Sequence, residues 1–159
     1  MHESVQDLET LQRVLDESFA RAGDHLRSVF HNHRMMQAAD VVGTLQGVFV
    51  LHLATVSNLN RPVVAPIDGL FYRARFLFSA PESAKRVSHL RRRPFVSATY
   101  VRGQSECIIV HGRAVEIGPD QTHIRRFFEE IYGSEVIQSS ARPGFTAFIE
   151  PNFMVAFAA

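Results

Sequence analysis

The sequence predicts a small antiparallel β-barrel with helices around it, and three features carry that expectation. About six short runs of β-branched and aromatic residues lie between Val48 and Ala158, each bounded by turn residues. Glu106 to Ile117 alternates strictly. Cys107, Ile109, His111, Arg113, Val115 and Ile117 fall on one face, and Ile108, Val110, Gly112 and Ala114 on the other. Three or four helical stretches accompany the strands without any internal repeat, which favours a closed all-antiparallel sheet.

In chain order, Ser4 to Ala22 reads as an amphipathic helix. Leu8, Leu11, Leu15 and Phe19 recur at three- and four-residue steps, Ser4 with Asp7 supplies a cap, and Gly23 ends it. A second helical piece spans Asp24 to Phe30, and a third runs from Met35 to Val42 before Gly43. Between them lies His31-Asn32-His33. That spacing aligns two rings on a strand and parts them on a helix, and with no third ligand nearby no metal site is assigned. Val48 to Ser57 is the first strand, and Asn58-Leu59-Asn60 is a turn. The next strand starts near Pro62. Pro62 and Pro66 lack an N–H, so one side of it cannot be fully paired. A bulge is expected at Gly69 and a turn at Arg73-Ala74-Arg75, followed by a short strand from Phe76 to Ser79.

The helix within Ser79 to Pro94 is the most informative stretch. Ser79 and Glu82 have capping-box spacing, Pro81 falls in the first turn, and Ser83 is a second candidate cap. Lys85, also in the first turn, is the only lysine among 17 basic residues. A helix N-terminus favours an anion, so Lys85 reads either as a phosphate ligand or as a solvated surface residue. Phe95 to Arg102 and Glu106 to Ile117 then form a hairpin about Gly103-Gln104. Asp120 is expected to cap a helix that ends at Tyr132-Gly133. Its stripe of Ile124, Phe127, Phe128, Ile131 and Tyr132 reads as core packing. After a loop over Ser134 to Gly144, two strands are expected, Phe145 to Glu150 and Asn152 to Ala158, broken at Pro151. Cys107 reads as an inert core thiol and His111 as a structural histidine before a site residue.

Composition narrows the classes of function. The chain has 159 residues, 46% hydrophobic and 21% charged, with a net charge of +1, which excludes a strongly electrostatic partner for the whole chain. Locally, Arg73 to Arg102 holds eight basic residues with Glu82 the only acid, a field that suits an anionic ligand or a solvated face. Arg91-Arg92-Arg93 has no interleaved exposed aromatics, so no nucleic-acid partner is expected. Val41 to Val56 is too short and too polar to span a membrane. With one cysteine and no visible signal peptide, a cytoplasmic location is expected. Glycine-rich phosphate loops, paired cysteines, His-Glu-x-x-His and Gly-x-Ser-x-Gly are all missing from the sequence.

The order of short motifs then matches a known family. It runs Ala54-Thr55-Val56, Asn60-Arg61-Pro62, Ala65-Pro66, a Phe-x-Phe-Ser strand and Ser83-x-Lys85. Leu90-x-x-x-Pro94-x-Val96-Ser97 and His111-Gly112-Arg113-Ala114 follow. Over Val41 to Phe157 the chain resembles the pyridoxamine 5'-phosphate oxidase-like, FMN-binding split-barrel superfamily, and within it the flavin- or deazaflavin-dependent members. The resemblance implies a mainly β (α+β) fold, a six-stranded antiparallel split β-barrel with flanking helices. Residues 1–40 would form an N-terminal helical extension and residues 41–159 the barrel domain. It also implies a homodimer with cofactor in the cleft between subunits. The cofactor phosphate would meet Ser79, Ser83, Ala84 and Lys85, and its ring Val64, Ala65, Pro66 and Ile67. The pyridoxamine oxidase proper carries an arginine and a lysine on its second strand where this chain has Ala65 and Leu70, so that substrate is not expected. The implied activity is hydride transfer between FMN, or deazaflavin F-420, and an unknown small molecule, with no catalytic residue named. The alternative is a binding protein that carries flavin or haem without turnover.

Overall fold

The computed structural model describes residues 2–29, 34–118, 120–133 and 144–158. Three helices lead in: α1 (Val5–Ala20), α2 (Asp24–Val29) and α3 (Ala38–Thr44). The rest is β1 (Phe49–Val56), β2 (Pro62–Tyr72), β3 (Arg75–Ala80), α4 (Lys85–Arg92), β4 (Phe95–Arg102), β5 (Glu106–Glu116), α5 (Thr122–Tyr132) and β6 (Phe145–Ala158). The six strands close into an antiparallel barrel in the order β1-β2-β3-β6-β5-β4. The expected barrel is therefore observed. His31, His33 and the loop from Ser134 lie outside the described residues.

Alternation fills the interior. Leu51, Leu53, Phe76, Phe78, Ala98, Ile108, Val110, Ile149, Met154 and Ala156 are all buried in one cluster. α4, at the end where β1, β3 and β5 stop, adds Val87 and Leu90 to it. α3, at the opposite end, adds Val41, Val42 and Leu45. α1 is tied to β6 and shares the same core through Leu11 and Leu15. The fully buried Ser18 hydroxyl donates to the Val14 carbonyl at 2.6 Å and accepts from the Met154 N–H at 2.8 Å. The capping box at Ser4 and Asp7 starts α1 where the sequence places it. The aromatic stripe of α5 packs outside the barrel on Leu70, Tyr72 and Leu77, and Tyr72 stacks on Phe127 at 4.4 Å. Core packing accounts for that stripe.

The seams of the barrel are unequal, and this positions the site. β2 pairs with β1 from Pro62 to Gly69, yet meets β3 only from Gly69 to Tyr72. Residues 62–68 of β2 thus have a strand on one side only. The two prolines sit in this one-sided segment, where a missing N–H costs little.

Four local expectations are corrected. No bulge occurs at Gly69, because pairing runs through it in register from Phe49↔Gly69 to Val56↔Pro62. The glycine instead makes room for the Phe49 ring: a Cβ there would lie 2.6 Å from Cε2. Neither Asp120 nor any other side chain caps α5, whose N-cap is Gln121. β6 is a single strand rather than two. Gly112 pairs with Pro151 and His111 with Phe153, so Asn152 is an extra residue, and this bulge absorbs the proline. Ser79 and Glu82 form no capping box either. Ser79 remains in β3 opposite Thr146, and Pro81 enters a turn closed by the Ala84 N–H at 2.8 Å. α4 consequently begins at Lys85 with Ala84 as its N-cap.

Candidate functional site

The one-sided half of β2, the end of β3 and the start of α4 border a split in the barrel wall. Along β2, Val64 is 67% exposed and Pro66 is exposed, while Ala65 and Ile67 are half-buried. Facing them, Ser83 and Lys85 are exposed and Ala84 is half-buried. No side chain caps α4. Its third-residue N–H, of Val87, turns back to the Ala84 carbonyl at 2.9 Å, which leaves the N–H groups of Lys85 and Arg86 at a positive helix end. The sequence-predicted ring segment and phosphate segment are joined by one contact: Arg86 Nη2 donates to the Pro66 carbonyl at 3.3 Å. Its Nη1 is sealed from water and has no hydrogen-bond partner.

Ser79 lies one strand further along, its hydroxyl 3.2 Å from that of Thr146 on β6. Sequence reading named neither Thr146 nor Arg86 for this site. Arg86 had one signal, its place after Lys85 in the basic stretch. Thr146 had none, since it reaches Ser79 only through strand pairing.

The rim is braced by charge. The Arg91 guanidinium donates to Glu116 at 2.7 and 3.2 Å and also pairs with Glu82, binding the turn before α4 to the end of β5. Hydrogen bonds from Arg91 hold the Glu116 carboxyl below the usual carboxylate range. Thr55, buried on β1, meets His89 Nδ1 at 3.2 Å and fixes the other end of α4. Glu82, the acid nearest Lys85 in sequence, is therefore committed elsewhere. Burial pushes the Tyr132 hydroxyl up, with the Asp68 carboxylate of β2 adding to the effect.

Outside the barrel, register aligns Val64, Ala54, Ser97, His111 and Phe153 in one row across five strands. His111 Nδ1 lies 2.8 Å from the Ser97 hydroxyl, and its ring stacks on Phe153 at 5.4 Å. Val50, Phe95 and Val101, on the flanking stretches of β1 and β4, are 53%, 66% and 50% exposed. Among the described residues no three His, Cys, Asp or Glu side chains gather as a metal site would require. Among the described residues no helix is long and apolar enough to cross a membrane.

No protein-family model and no curated protein matches the sequence. Solved structures do match. A conserved hypothetical protein from Mycobacterium tuberculosis superposes with a TM-score of 0.69 at 13% identity, covering 80% of this chain and 88% of that one. The haem storage protein HutZ of Vibrio cholerae gives 0.64 at 16% identity, over 76% of this chain and 95% of its own. A FAD-binding protein from Mesorhizobium loti gives 0.60 at 20%, over 77% and 93%. A Listeria innocua protein described as a pyridoxamine 5'-phosphate oxidase and an F-420 reductase follow at 0.58 and 0.57. At these identities the likeness is one of fold. The fold of this chain is the one these solved structures share, a six-stranded antiparallel barrel with flanking helices.

Proposed function

We propose that the chain is an oxidoreductase of split-barrel type that binds FMN, or deazaflavin F-420, and passes a hydride to a small molecule. The observation that carries this is the split itself. A one-sided apolar strand segment, Val64 to Ile67, faces an uncapped helix N-terminus with Lys85 and Arg86 beside it. A flat apolar ring suits the first and a phosphate the second. The bound flavin would supply the hydride chemistry. The chain's own part is to hold and orient. Val64, Ala65, Pro66 and Ile67 would line the ring. Ser83, Lys85 and the first N–H groups of α4 would take the phosphate, with the Ser79 and Thr146 hydroxyls at the adjoining strand ends. A second copy on the outer β1-β4 face would complete the cleft, since one barrel wall leaves Val64 exposed.

The test is an absorption spectrum of freshly purified protein and of protein incubated with FMN, F-420 and haem. A flavin band that bleaches with reduced nicotinamide or dithionite and returns with an electron acceptor is expected. Protein that takes up none of the three would reject the reading. The likeness to HutZ supports a second reading, a carrier of haem or flavin without turnover. A bound flavin that exchanges electrons with no acceptor, or a haem band, would favour it.

A further inference from the structure

We infer that His111 is a proton switch on the pairing of two copies: the outer β1-β4 face closes on a second copy while this imidazole is neutral and opens when it is charged. The inference rests on the second copy proposed above and adds its regulation.

Register sets the outer side chains of β2, β1, β4 and β5 in rows across the sheet. The charged side chains of these rows are Asp68, on β2 level with Val50, and Arg113, on β5 level with Phe95. Because Val50 and Phe95 lie at opposite ends of the β1-β4 pair, the two charges stand at opposite corners of the face. A two-fold axis along the other diagonal sets Asp68 of each copy over Arg113 of the other. That complementarity, with the exposed Val50, Val64, Phe95 and Val101 on the same face, makes a second copy its occupant.

His111 is exposed in the single chain and lies in the row of Val64 and Ala54, within that contact. Its neighbours offer a charged imidazole little in exchange for water. On β4 its Nδ1 meets the Ser97 hydroxyl at 2.8 Å, and on β6 its ring stacks on Phe153 at 5.4 Å. The ionised groups around it are Arg113 on its own strand, Glu150 opposite Arg113 on β6, and Arg21 of α1, which donates to the Asn152 carbonyl at 2.7 Å. Both acids that approach, Glu150 and Asp68 of the second copy, face Arg113, so no net negative charge is left for an imidazolium. Closing the face strips water from His111, and burial without a counter-charge disfavours the charged form. A neutral ring keeps its bond to Ser97 and closes without that cost. His52 is the contrast. It lies one row on, and Asp68 is its diagonal neighbour across the β1-β2 ladder, so a carboxylate stands near when it is charged.

The experiment is sedimentation over a dilution series at about pH 7.5 and about pH 5.5, at constant ionic strength, for wild type, His111→Gln and His52→Gln. Circular dichroism at both pH values checks that each protein stays folded. One proton per copy is linked to opening, and each moves the dissociation constant by up to about tenfold per pH unit. The wild-type constant is therefore expected to rise by about a hundredfold between the two, and that of His52→Gln to follow it. His111→Gln can still hydrogen-bond Ser97 but never charges, so its constant should change by less than about threefold. A wild-type constant that does not move with pH would overturn the switch and leave the dimer standing. So would His111→Gln protein that comes apart in acid as wild type does. Wild type that is a folded monomer at the higher pH would overturn the dimer and the switch together. Should His111→Gln not fold, His111→Asn gives the same readings.

Discussion

At the scale of single residues, two strand glycines are held by close approach rather than by a need for positive φ. A Cβ on Gly112 would lie 2.1 Å from the Glu150 carbonyl oxygen, in the strand facing the bulge at Asn152. A Cβ on Gly69 would meet a ring atom of Phe49 at 2.6 Å. Backbone paired in a ladder yields less than a side chain, so the two substitutions should differ. Gly69→Ala is expected to cost about 1–2 kcal/mol and Gly112→Ala about 3 kcal/mol or more, read from urea unfolding midpoints. Equal costs would mean that β6 gives way as easily as a phenyl ring. A glycine inside a strand pattern signals either a bulge or a close neighbour, and the letters alone do not choose between them. That is why Gly69 reads as a bulge from sequence, while the bulge actually stands opposite Gly112.

At the scale of elements, α1 is legible because its determinants are local. A period of apolar residues and a cap three residues long fix it, and Ser4, Asp7, Leu11 and Leu15 behave as read. α4 is less so. Its expected cap fails because Ser79 is claimed by Thr146, 67 residues away, and no local window contains that competitor. Two predictions belong here. Ser18→Ala should destabilise the protein by about 1–3 kcal/mol, since it strands the buried Met154 N–H, and Leu15→Ala by about 2–5 kcal/mol. Both are measured by denaturant unfolding, and wild-type midpoints would mean that α1 is not part of the cooperative core. The Arg91 brace predicts a pH effect. The folded-state Glu116 carboxyl sits below its unfolded value, so its contribution is present above about pH 4.5 and is lost as pH falls through the lowered value. Arg91→Ala should flatten that acid limb, its loss of stability showing near neutrality and vanishing at low pH, and the loss should be small because all three groups are exposed.

At the scale of the molecule, the antiparallel barrel is legible because alternation and turn residues repeat along the strands, whereas its strand order, with β3 beside β6 and β1 beside β4, rests on pairings between strands distant in sequence. The split is only half legible. Pro62 and Pro66 announce an unpaired side, but the crossing of Arg86 to that side depends on how α4 closes the barrel end. On the proposed function, the second half of the cleft would come from a second copy of the chain. The outer face of β1 and β4 presents Val50, Phe95 and Val101 at half exposure or more, with no described helix over them. A stable two-fold interface buries about 800 Å² per partner, less than a tenth of the 9458 Å² surface of this chain. An isologous contact over this face would cover those side chains and bring a second wall to Val64. The chain of 17.9 kDa is therefore expected to sediment at twice its mass at micromolar concentration. Val50→Arg combined with Val101→Arg should yield monomers with an unchanged circular dichroism spectrum, because both side chains already point to solvent in the single chain. These monomers should also lose flavin binding, since the cleft needs both copies. Wild type sedimenting as a folded monomer would sink the dimer, and flavin binding that survives in the double variant would show that one barrel completes the site alone.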